Sequence, residues 1–300
     1  MRLQAVRRWA AVAAGLALVG VTQTLGAPAA PAAAPPALAK VSAATPTDSV
    51  TPKTAIAVCP AGKRVVGGGG SAINTSPADE RRVLLTRLEP MHSGNLDSYV
   101  VTGEEISPGI GSVWRVEAYA LCAPALPGYQ IVSASTTPSS TSVQQAVASC
   151  PSPSKVIGTG AQINNPGGQV TLQTNRSDST LGIVRAVAKE DANGYSGSWN
   201  VTSYAICENL PATFEVVGDG TPTSPADSKS AFVDCPPGKY VHSVGVATSG
   251  LPPGLTSTPA GIAVQTVFPS GFMTRAEVFA VATTPTSDSW DVAAFAVCGP

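Results

Sequence analysis

The chain has 300 residues, of which 12% are charged, and a formal net charge of −1 at pH 7. This charge lacks the basic excess of nucleic-acid-binding domains, so we expect no nucleic-acid partner. The 29 glycines and 27 prolines oppose long helices and favour short strands joined by turns.

Residues 1–39 are typical of an export signal followed by an Ala/Pro-rich segment. Three arginines precede a short apolar run, and Ala37-Leu38-Ala39 matches a cleavage motif, with Ala27 as the alternative cut. The apolar run is short for a membrane span and nothing similar follows it, so we expect a secreted protein without a transmembrane segment. Loss of the three arginines leaves 15 basic and 19 acidic residues, a net charge of about −4.

One sequence unit is repeated three times along the rest of the chain. Each copy opens with Cys-Pro and closes with a tryptophan eight residues before a second cysteine. The tryptophans are Trp114, Trp199 and Trp290. A fixed period of this kind predicts a repeat architecture. The three copies occupy residues 40–123, 124–209 and 210–300, which leaves no room for another domain.

Each copy contains about six short strand signals separated by turn residues. In the second copy they are Tyr129–Ser133, Val143–Ser149, Lys155–Ile163, Val170–Thr174, Val184–Ala188 and Asn200–Cys207. Gly167-Gly168 and Asn193-Gly194 are turn signals between them. The sequence therefore predicts an all-β protein with about eighteen strands.

Two arrangements of these strands are compatible with the sequence. In the favoured one, the copies surround a shared axis as a β-prism-like fold with pseudo-threefold symmetry. In the alternative, three small β-sandwiches follow one another as beads. The connectors between copies are short, and each copy has few aromatic residues for a core of its own, which favours a shared core.

Six cysteines in an exported chain predict three disulfides, one per repeat. The favoured pairing is Cys59–Cys122, Cys150–Cys207 and Cys235–Cys298. These pairs close loops of 63, 57 and 63 residues, each stabilising by about 4 kcal/mol in the chain-entropy model. A cyclic alternative, Cys122–Cys150, Cys207–Cys235 and Cys298–Cys59, remains open at this point.

No catalytic site, metal site or cofactor is predicted. His92 and His242 occupy different places in their copies, and no Ser/His/Asp set or metal-binding spacing accompanies them. If the protein hydrolyses glycans, its first candidate carboxylates are Glu104, Glu105 and Glu190, because such enzymes use paired carboxylates. The last two stand nine residues before a tryptophan, a position occupied by Val281 in the third copy, and an exposed strand end also explains them.

The repeated aromatic residues have two interpretations, sugar platforms or core. The tryptophans lie at a fixed distance from a disulfide cysteine, so we expect them to be core residues packed against that bridge. A second ring position, at Tyr119, Tyr204 and Phe295, also suggests core, since phenylalanine replaces tyrosine there. The segments that differ between copies are better candidates for binding. They are Asn74–Arg82, Met91–Tyr99, Asn164–Gln169 and Gly250–Pro259.

The unit Cys-Pro-x-Gly-Lys, Val-Gly-Gly-Gly and Trp-x-Val-x-x-Tyr-Ala-x-Cys resembles that of secreted repeat proteins of actinobacteria. The resemblance covers the whole mature chain and implies export and repetition, but no activity. The third copy departs from it, since Tyr240-Val241-His242-Ser243 replaces the glycine-rich run. The expected architecture is similar to the threefold β-prism of vitelline membrane outer layer proteins, although repeat length and cysteine count differ.

Everything that is constant between the copies has a structural explanation. We therefore expect a secreted, non-catalytic binding or cell-surface module, with carbohydrate or cell-wall glycan as its partner on the grounds of compartment. One alternative is a secreted hydrolase with a single site between repeats. Another is a structural coat or matrix component without a small ligand.

Overall fold

The computed structural model describes residues 37–94, 96–248 and 259–300. The first copy supplies β1 (Ala39–Ala44), β2 (Lys53–Val58), β3 (Arg64–Asn74), β4 (Val83–Ser93), β5 (Leu96–Glu105) and β6 (Trp114–Ala123). The second supplies β7 (Gln130–Ser135), β8 (Val143–Ser149), β9 (Lys155–Asn164), β10 (Val170–Ser177), β11 (Ile183–Glu190) and β12 (Asn200–Glu208). The third supplies β13 (Glu215–Gly220), β14 (Ser228–Asp234), β15 (Tyr240–Ala247), β16 (Ile262–Pro269), β17 (Arg275–Ala282) and β18 (Ala293–Gly299).

The predicted all-β class and the number of strands are confirmed for the described residues. The regular helix described is a short 3₁₀ turn, Pro77–Arg82. Within the part of the chain that the structure describes, no helix is long and apolar enough to cross a membrane. The strands fall inside the predicted copies, except that β1 begins one residue earlier, at Ala39.

The copies are not separate beads, because each one divides its six strands between two sheets. Sheet I has the order β1-β6-β3-β16-β17-β14, sheet II β2-β5-β4-β9-β12-β7, and sheet III β13-β18-β15-β10-β11-β8. Each sheet therefore joins a three-stranded half of one copy to a three-stranded half of the next. The prism-like arrangement is favoured over the beads because no copy completes a sheet alone.

The half-sheets meet at three equivalent seams, each made by two antiparallel residue pairs. At seam 1–2, Leu88 of β4 pairs with Ala161 of β9. At seam 2–3, Asn175 of β10 pairs with Val246 of β15. Seam 3–1 joins β16 to β3 in the same way. Since the same positions of the repeat form every seam, the sequence period is reproduced in the sheet pairing.

The glycine-rich segments lie where the central strands β3, β9 and β15 pack against one another. A Cβ atom built on Gly67 would lie 2.0 Å from the carbonyl oxygen of His242, and one on Gly158 would lie 2.2 Å from that of Val66. Neither position has room for a side chain, so backbone meets backbone there. These glycines therefore allow the central strands to pack closely.

One hydrophobic core contains residues of all three copies. It includes Trp114, Trp199 and Trp290, which are exposed by 0%, 0% and 2%. The inward positions of β6 and β18 are filled by small residues such as Ala118, Ala120 and Ala296. The interpretation of the tryptophans as core residues is therefore confirmed, and they are too buried to serve as sugar platforms.

The disulfides join the opening and closing cysteines of each copy, as in the favoured pairing. They are Cys59–Cys122, Cys150–Cys207 and Cys235–Cys298. Packing of the tryptophans against these bridges is a wrong prediction. Trp114 begins β6 and Cys122 lies near its end. Eight residues of extended chain span about 26 Å, so the indole and the disulfide lie at opposite ends of the strand.

Candidate functional site

The second ring position of the repeat lies at the seams, on the faces of the sheets directed away from the shared core. Tyr119 and Tyr204 are half-buried, and their inward neighbours Ala118 and Ser203 are fully buried. Phe295 is 5% exposed and lies in a small outer cluster with Val216. The prediction that these rings belong to the core is therefore wrong for Tyr119 and Tyr204, whereas Phe295 is buried in a small cluster apart from the shared core.

Each ring lies opposite a glycine of the central strand at the seam. The strand on the other side of that glycine belongs to the neighbouring copy, and its side chain there differs from seam to seam. The register places Tyr119 opposite Gly69, Tyr204 opposite Gly160 and Phe295 opposite Gly245. A Cβ on Gly160 would lie 2.5 Å from Cδ of Pro90, so the glycine lets the neighbouring strands approach closely. The repeat thus builds the same outer site three times and varies the side chain across the seam.

Cleft 1–2 is the largest of these sites, with a volume of about 610 Å³. Its walls come from the end of β4 and from β7, β12 and the segment before β7. It is lined by Arg64, Glu89, Pro90, Met91, His92, Tyr129, Gln130, Ile131, Ser133 and Tyr204. The hydroxyl of Tyr204 donates to Oε1 of Gln162 at 2.9 Å, which fixes the ring at the edge of the cleft.

A buried carboxylate, Asp97, holds one wall of cleft 1–2 in place. It accepts hydrogen bonds from Tyr129 (2.5 Å), His92 (2.6 Å), Arg64 (3.0 Å) and the backbone N–H of Val65 (3.0 Å). Burial raises the pKa of Asp97, but these hydrogen bonds outweigh burial and hold the pKa below its usual value. Asp97 is therefore an anion that positions its three side-chain partners.

This cluster exists only in the first copy because of a difference in hairpin geometry. The N–H groups of Val156 and Val241, equivalent to that of Val65, donate to the carbonyl oxygens of Leu181 and Met273. In the first copy the Asp97 carboxylate takes the place of that carbonyl. The predicted variable segment Met91–Tyr99 therefore contributes to the site, through Met91 and His92 in the lining and Asp97 behind it.

A second cavity on the outer face of sheet II, which we call the polar bay, has a volume of about 500 Å³. It is lined by Thr54, Thr86, Arg87, Thr102, Glu104, Gln162, Ile163, Asn164, Asn165, Pro166 and Gly167. Burial raises the pKa of Glu104, whose Oε1 accepts a long hydrogen bond of 3.5 Å from Thr86. Glu104 is the one carboxylate in this lining.

The other two candidate carboxylates serve the buried tryptophans. The indole N–H of Trp114 donates to Oε1 of Glu105, and that of Trp199 donates to Oε1 of Glu190, both at 2.9 Å. The second oxygen of each carboxylate accepts a backbone N–H, from Ile110 and Tyr195.

In the third copy the indole of Trp290 donates instead to the carbonyl oxygen of Ala226 at 2.8 Å. The strand register also corrects the alignment of this copy. Ala282, paired with Ile262, is equivalent to Glu105, paired with Val83. The equivalent residue is therefore Ala282 and not Val281, because the third copy is one residue shorter between this position and the tryptophan.

We expect Glu190→Leu to lower the free energy of unfolding by about 1–3 kcal/mol, because it leaves the buried indole N–H of Trp199 without an acceptor. Glu190→Gln, which keeps an acceptor oxygen, should cost less. Urea denaturation of the two variants and the wild type measures this difference. Equal stability of Glu190→Leu and the wild type would contradict a structural role for this carboxylate.

The two histidines and the candidate carboxylate Glu104 lie in three different places in the fold. His92 lies in cleft 1–2 beside Asp97, and Glu104 lies in the polar bay. His242 is 6% exposed in β15, where its ring packs against Phe214. Among the described residues, no group of three or more His, Cys, Asp and Glu side chains is suited to holding a metal ion.

Of the other variable segments, Asn164–Gln169 lines the polar bay through residues 164–167. Asn74–Arg82 forms the end of β3 and the 3₁₀ turn. Gly250–Pro259 lies outside the described residues, apart from Pro259.

Cleft 2–3 is the equivalent site at the next seam, with a volume of about 400 Å³. It is lined by Arg176, Ser177, Asp178, Ser179, Ile183, Arg185, Val216, Val217, Gly218 and Phe295. The corresponding place at seam 3–1 is filled by Lys40. Its ammonium donates to the carbonyl oxygen of Pro269 at 2.7 Å and lies 4.8 Å from the centre of the Tyr119 ring. Two of the three outer sites are therefore open clefts.

Comparison of the sequence with known protein families and with curated proteins found no match.

Proposed function

We propose that this chain is a secreted, non-catalytic β-repeat protein that binds carbohydrate through cleft 1–2, with cell-wall glycan as the expected source. The observation that carries the proposal is the convergence of two half-buried tyrosine rings, Tyr129 and Tyr204, with hydrogen-bonding side chains in one cleft of about 610 Å³. Export is supported by three disulfides, since such bonds form and persist in oxidising compartments.

The chemistry of the lining suits a sugar. A tyrosine ring offers a rigid apolar face to the C–H groups of a pyranose, together with a polar hydroxyl. Arg64, Glu89 and Ser133 provide donors and acceptors for sugar hydroxyls around these rings. A few polar groups around an apolar surface are typical of small-ligand sites. Here Asp97 fixes three of the lining side chains, Arg64, His92 and Tyr129.

The outer face of sheet II suits an extended ligand of several sugars. Cleft 1–2 and the polar bay lie on the same face, and Gln162 of the bay accepts the hydroxyl hydrogen of Tyr204. Between these two cavities, Arg87 and Glu89 form an ion pair along strand β4. We therefore expect a glycan chain to cross this pair and occupy both cavities.

A glycan array and a peptidoglycan pull-down test the proposal. We expect binding by the wild type and a loss of about tenfold or more in Tyr204→Ala, because the ring face is removed. Tyr204→Phe keeps the ring and loses only the hydroxyl, which interacts with Gln162 and Glu89, so it should retain most of the affinity.

Tyr119→Ala is the matched control, since it removes a ring from the same repeat position at the seam that Lys40 fills. It should bind as the wild type does. If the wild type binds in neither assay, the glycan-binding proposal is wrong. Equal losses in Tyr204→Ala and Tyr119→Ala would contradict the assignment to cleft 1–2.

A further inference from the structure

We propose that cleft 2–3 is a separate oxyanion site, in which Arg176 and Arg185 together bind a carboxylate or phosphate group carried by an acidic polymer. This proposal does not rest on cleft 1–2, because it uses other residues at another seam. It predicts that the protein distinguishes acidic from neutral ligands.

The first observation is a pair of like charges placed directly opposite each other. Arg176 of β10 and Arg185 of β11 are cross-strand partners on the outer face. Like charges in this arrangement destabilise a sheet. The equivalent pairs in the other copies are Glu89 with Val100, and Phe268 with Glu277. The doubled positive charge is therefore particular to the second copy and not a requirement of the fold.

The second observation is the lack of a neutralising carboxylate. Five other described arginines form ion pairs, namely Arg64 with Asp97, Arg81 with Asp227, Arg87 with Glu89, Arg115 with Glu117 and Arg275 with Asp234. Arg82 donates instead to the carbonyl oxygen of Gly109. Among the described residues, Arg176 donates to the backbone oxygen of Ser177 at 3.3 Å and to no carboxylate. For Arg185 the described residues provide no carboxylate partner.

Asp178, the carboxylate in the lining, is already engaged in the β10–β11 turn. Its Oδ1 accepts the backbone N–H groups of Gly182 (2.7 Å) and Ile183 (3.0 Å), and its Oδ2 accepts the hydroxyl of Thr180. It lowers the positive potential of the cleft but does not form an ion pair with either guanidinium.

The third observation is that the site is preorganised. The guanidinium carbon of Arg176 lies 4.7 Å from the centre of the Phe295 ring, which restricts its orientation. Arg176 and Arg185 are both half-buried, so water screens their charges less than at an open surface. Burial and the neighbouring Arg185 both lower the pKa of Arg176. Two planar guanidinium groups facing one cavity match the oxygen pairs of a carboxylate or phosphate.

Isothermal titration calorimetry of the full chain tests the proposal, with inorganic phosphate and oligogalacturonate as separate ligands. We expect both to bind the wild type with an affinity that falls as salt rises, and the affinity of each to drop at least tenfold in Arg185→Gln. A higher affinity for oligogalacturonate than for free phosphate would identify a polymer as the source of the oxyanion. The reverse order would identify the free ion and contradict the polymer.

Arg275→Gln is the matched control, because Arg275 also stacks on a phenylalanine, Phe232 at 4.0 Å, but is neutralised by Asp234. It should bind both probes as the wild type does. Without anions, Arg185→Gln should melt at or above the wild-type temperature, since it removes a repulsion. Phosphate should raise the melting temperature of the wild type and of Arg275→Gln, but not that of Arg185→Gln. Equal binding by wild type and Arg185→Gln would overturn the proposal. Loss of neutral glycan binding in Tyr204→Ala would not bear on this proposal, because that residue lies in cleft 1–2.

Discussion

The free energy of unfolding of the wild type relative to that of His242→Ile is expected to fall by about 3 kcal/mol as the pH is lowered from about 6.5 to about 4. His242 occupies the position of Val66 and Ile157 in the other copies, at the bulge of the central strand. Its imidazole is 6% exposed, and its Nδ1 has no hydrogen-bond partner. Burial lowers the pKa of His242 from 6.5 to about 4, and a contact to the carbonyl oxygen of Pro300 offsets this only in part.

The direction of this pH dependence follows from the protonation of His242 in the folded and unfolded states. Below pH 6.5 the unfolded chain binds a proton at this histidine, whereas the folded protein does not until the pH approaches 4. The contribution of His242 to the free energy of unfolding therefore falls as the pH is lowered through this window, by about 3 kcal/mol in total. Above pH 6.5 both states are neutral and the contribution is complete.

Urea denaturation of the wild type and two variants at half-unit steps from pH 7.5 to pH 4 measures this contribution as the difference between each variant and the wild type. For His242→Ile, and for His242→Asn, which is neutral but still polar, this difference should shift in favour of the variant as the pH is lowered. Only the isoleucine variant should also be more stable at pH 7, because it leaves no buried polar atom unpaired. A difference that does not change with pH in either variant would show that another group titrates.

The fold could be predicted because its strongest signal is a period. Equal spacing of Cys and Trp gives three copies, and alternation within each copy gives strands. The division of each copy between two sheets could not be predicted, because it depends on pairings such as Asn175 with Val246 between residues far apart in sequence. Local patterns carry no information about which strand edge meets which.

The outer rings were misassigned for a geometric reason. Large aromatic residues usually mark a core, but three sheets that meet around shared central strands leave little space inside. The inward positions beside Tyr119 and Phe295 are therefore alanines, such as Ala118 and Ala294, and the rings face outward. Alternation assigns residues to two faces of a strand, but it does not say which face is crowded.

The residues of the clefts were missed because they break the repeat. In the strand register Arg64 corresponds to Lys155 in the second copy and to Tyr240 in the third, so it lacks a charged counterpart in the third copy. Asp97 and Arg185 likewise have no charged counterpart of the same sign in the other copies. A comparison that emphasises what is constant between copies selects structural residues, whereas a search for charged departures from the repeat would have indicated both clefts.

Glu208→Gln is expected to stabilise the protein at pH 7 and above by up to about 3 kcal/mol and to leave it unchanged at pH 4. Glu208 lies at the end of β12 with 1% exposure, where the other copies have Ala123 and Gly299. Its Oε1 accepts the N–H of Leu126 at 3.1 Å, and its Oε2 has no partner. Burial raises the pKa of Glu208 from 4.5 to about 7, against the opposing effect of that hydrogen bond.

The neighbours of Glu208 do not neutralise it. Lys155 is its cross-strand partner, but the ammonium donates to the carbonyl oxygen of Thr180 at 3.2 Å. Burial is the main reason that the pKa of Tyr129 is raised, and the charge of the nearby Glu208 adds a small part. Between pH 4.5 and pH 7 the unfolded chain releases this proton while the folded protein keeps it. The contribution of Glu208 to the free energy of unfolding therefore falls as the pH rises through that window, and it does not change further above pH 7.

The two titrations oppose each other between pH 4.5 and pH 6.5, so the wild type should show little pH dependence there. His242→Ile alone should become less stable as the pH rises, by at most about 1.4 kcal/mol per pH unit, and Glu208→Gln alone should become more stable by the same amount. The double variant should again be flat, at a higher free energy of unfolding. Slopes of the same sign in the two single variants would contradict this account, and urea denaturation of the four proteins across this range decides it.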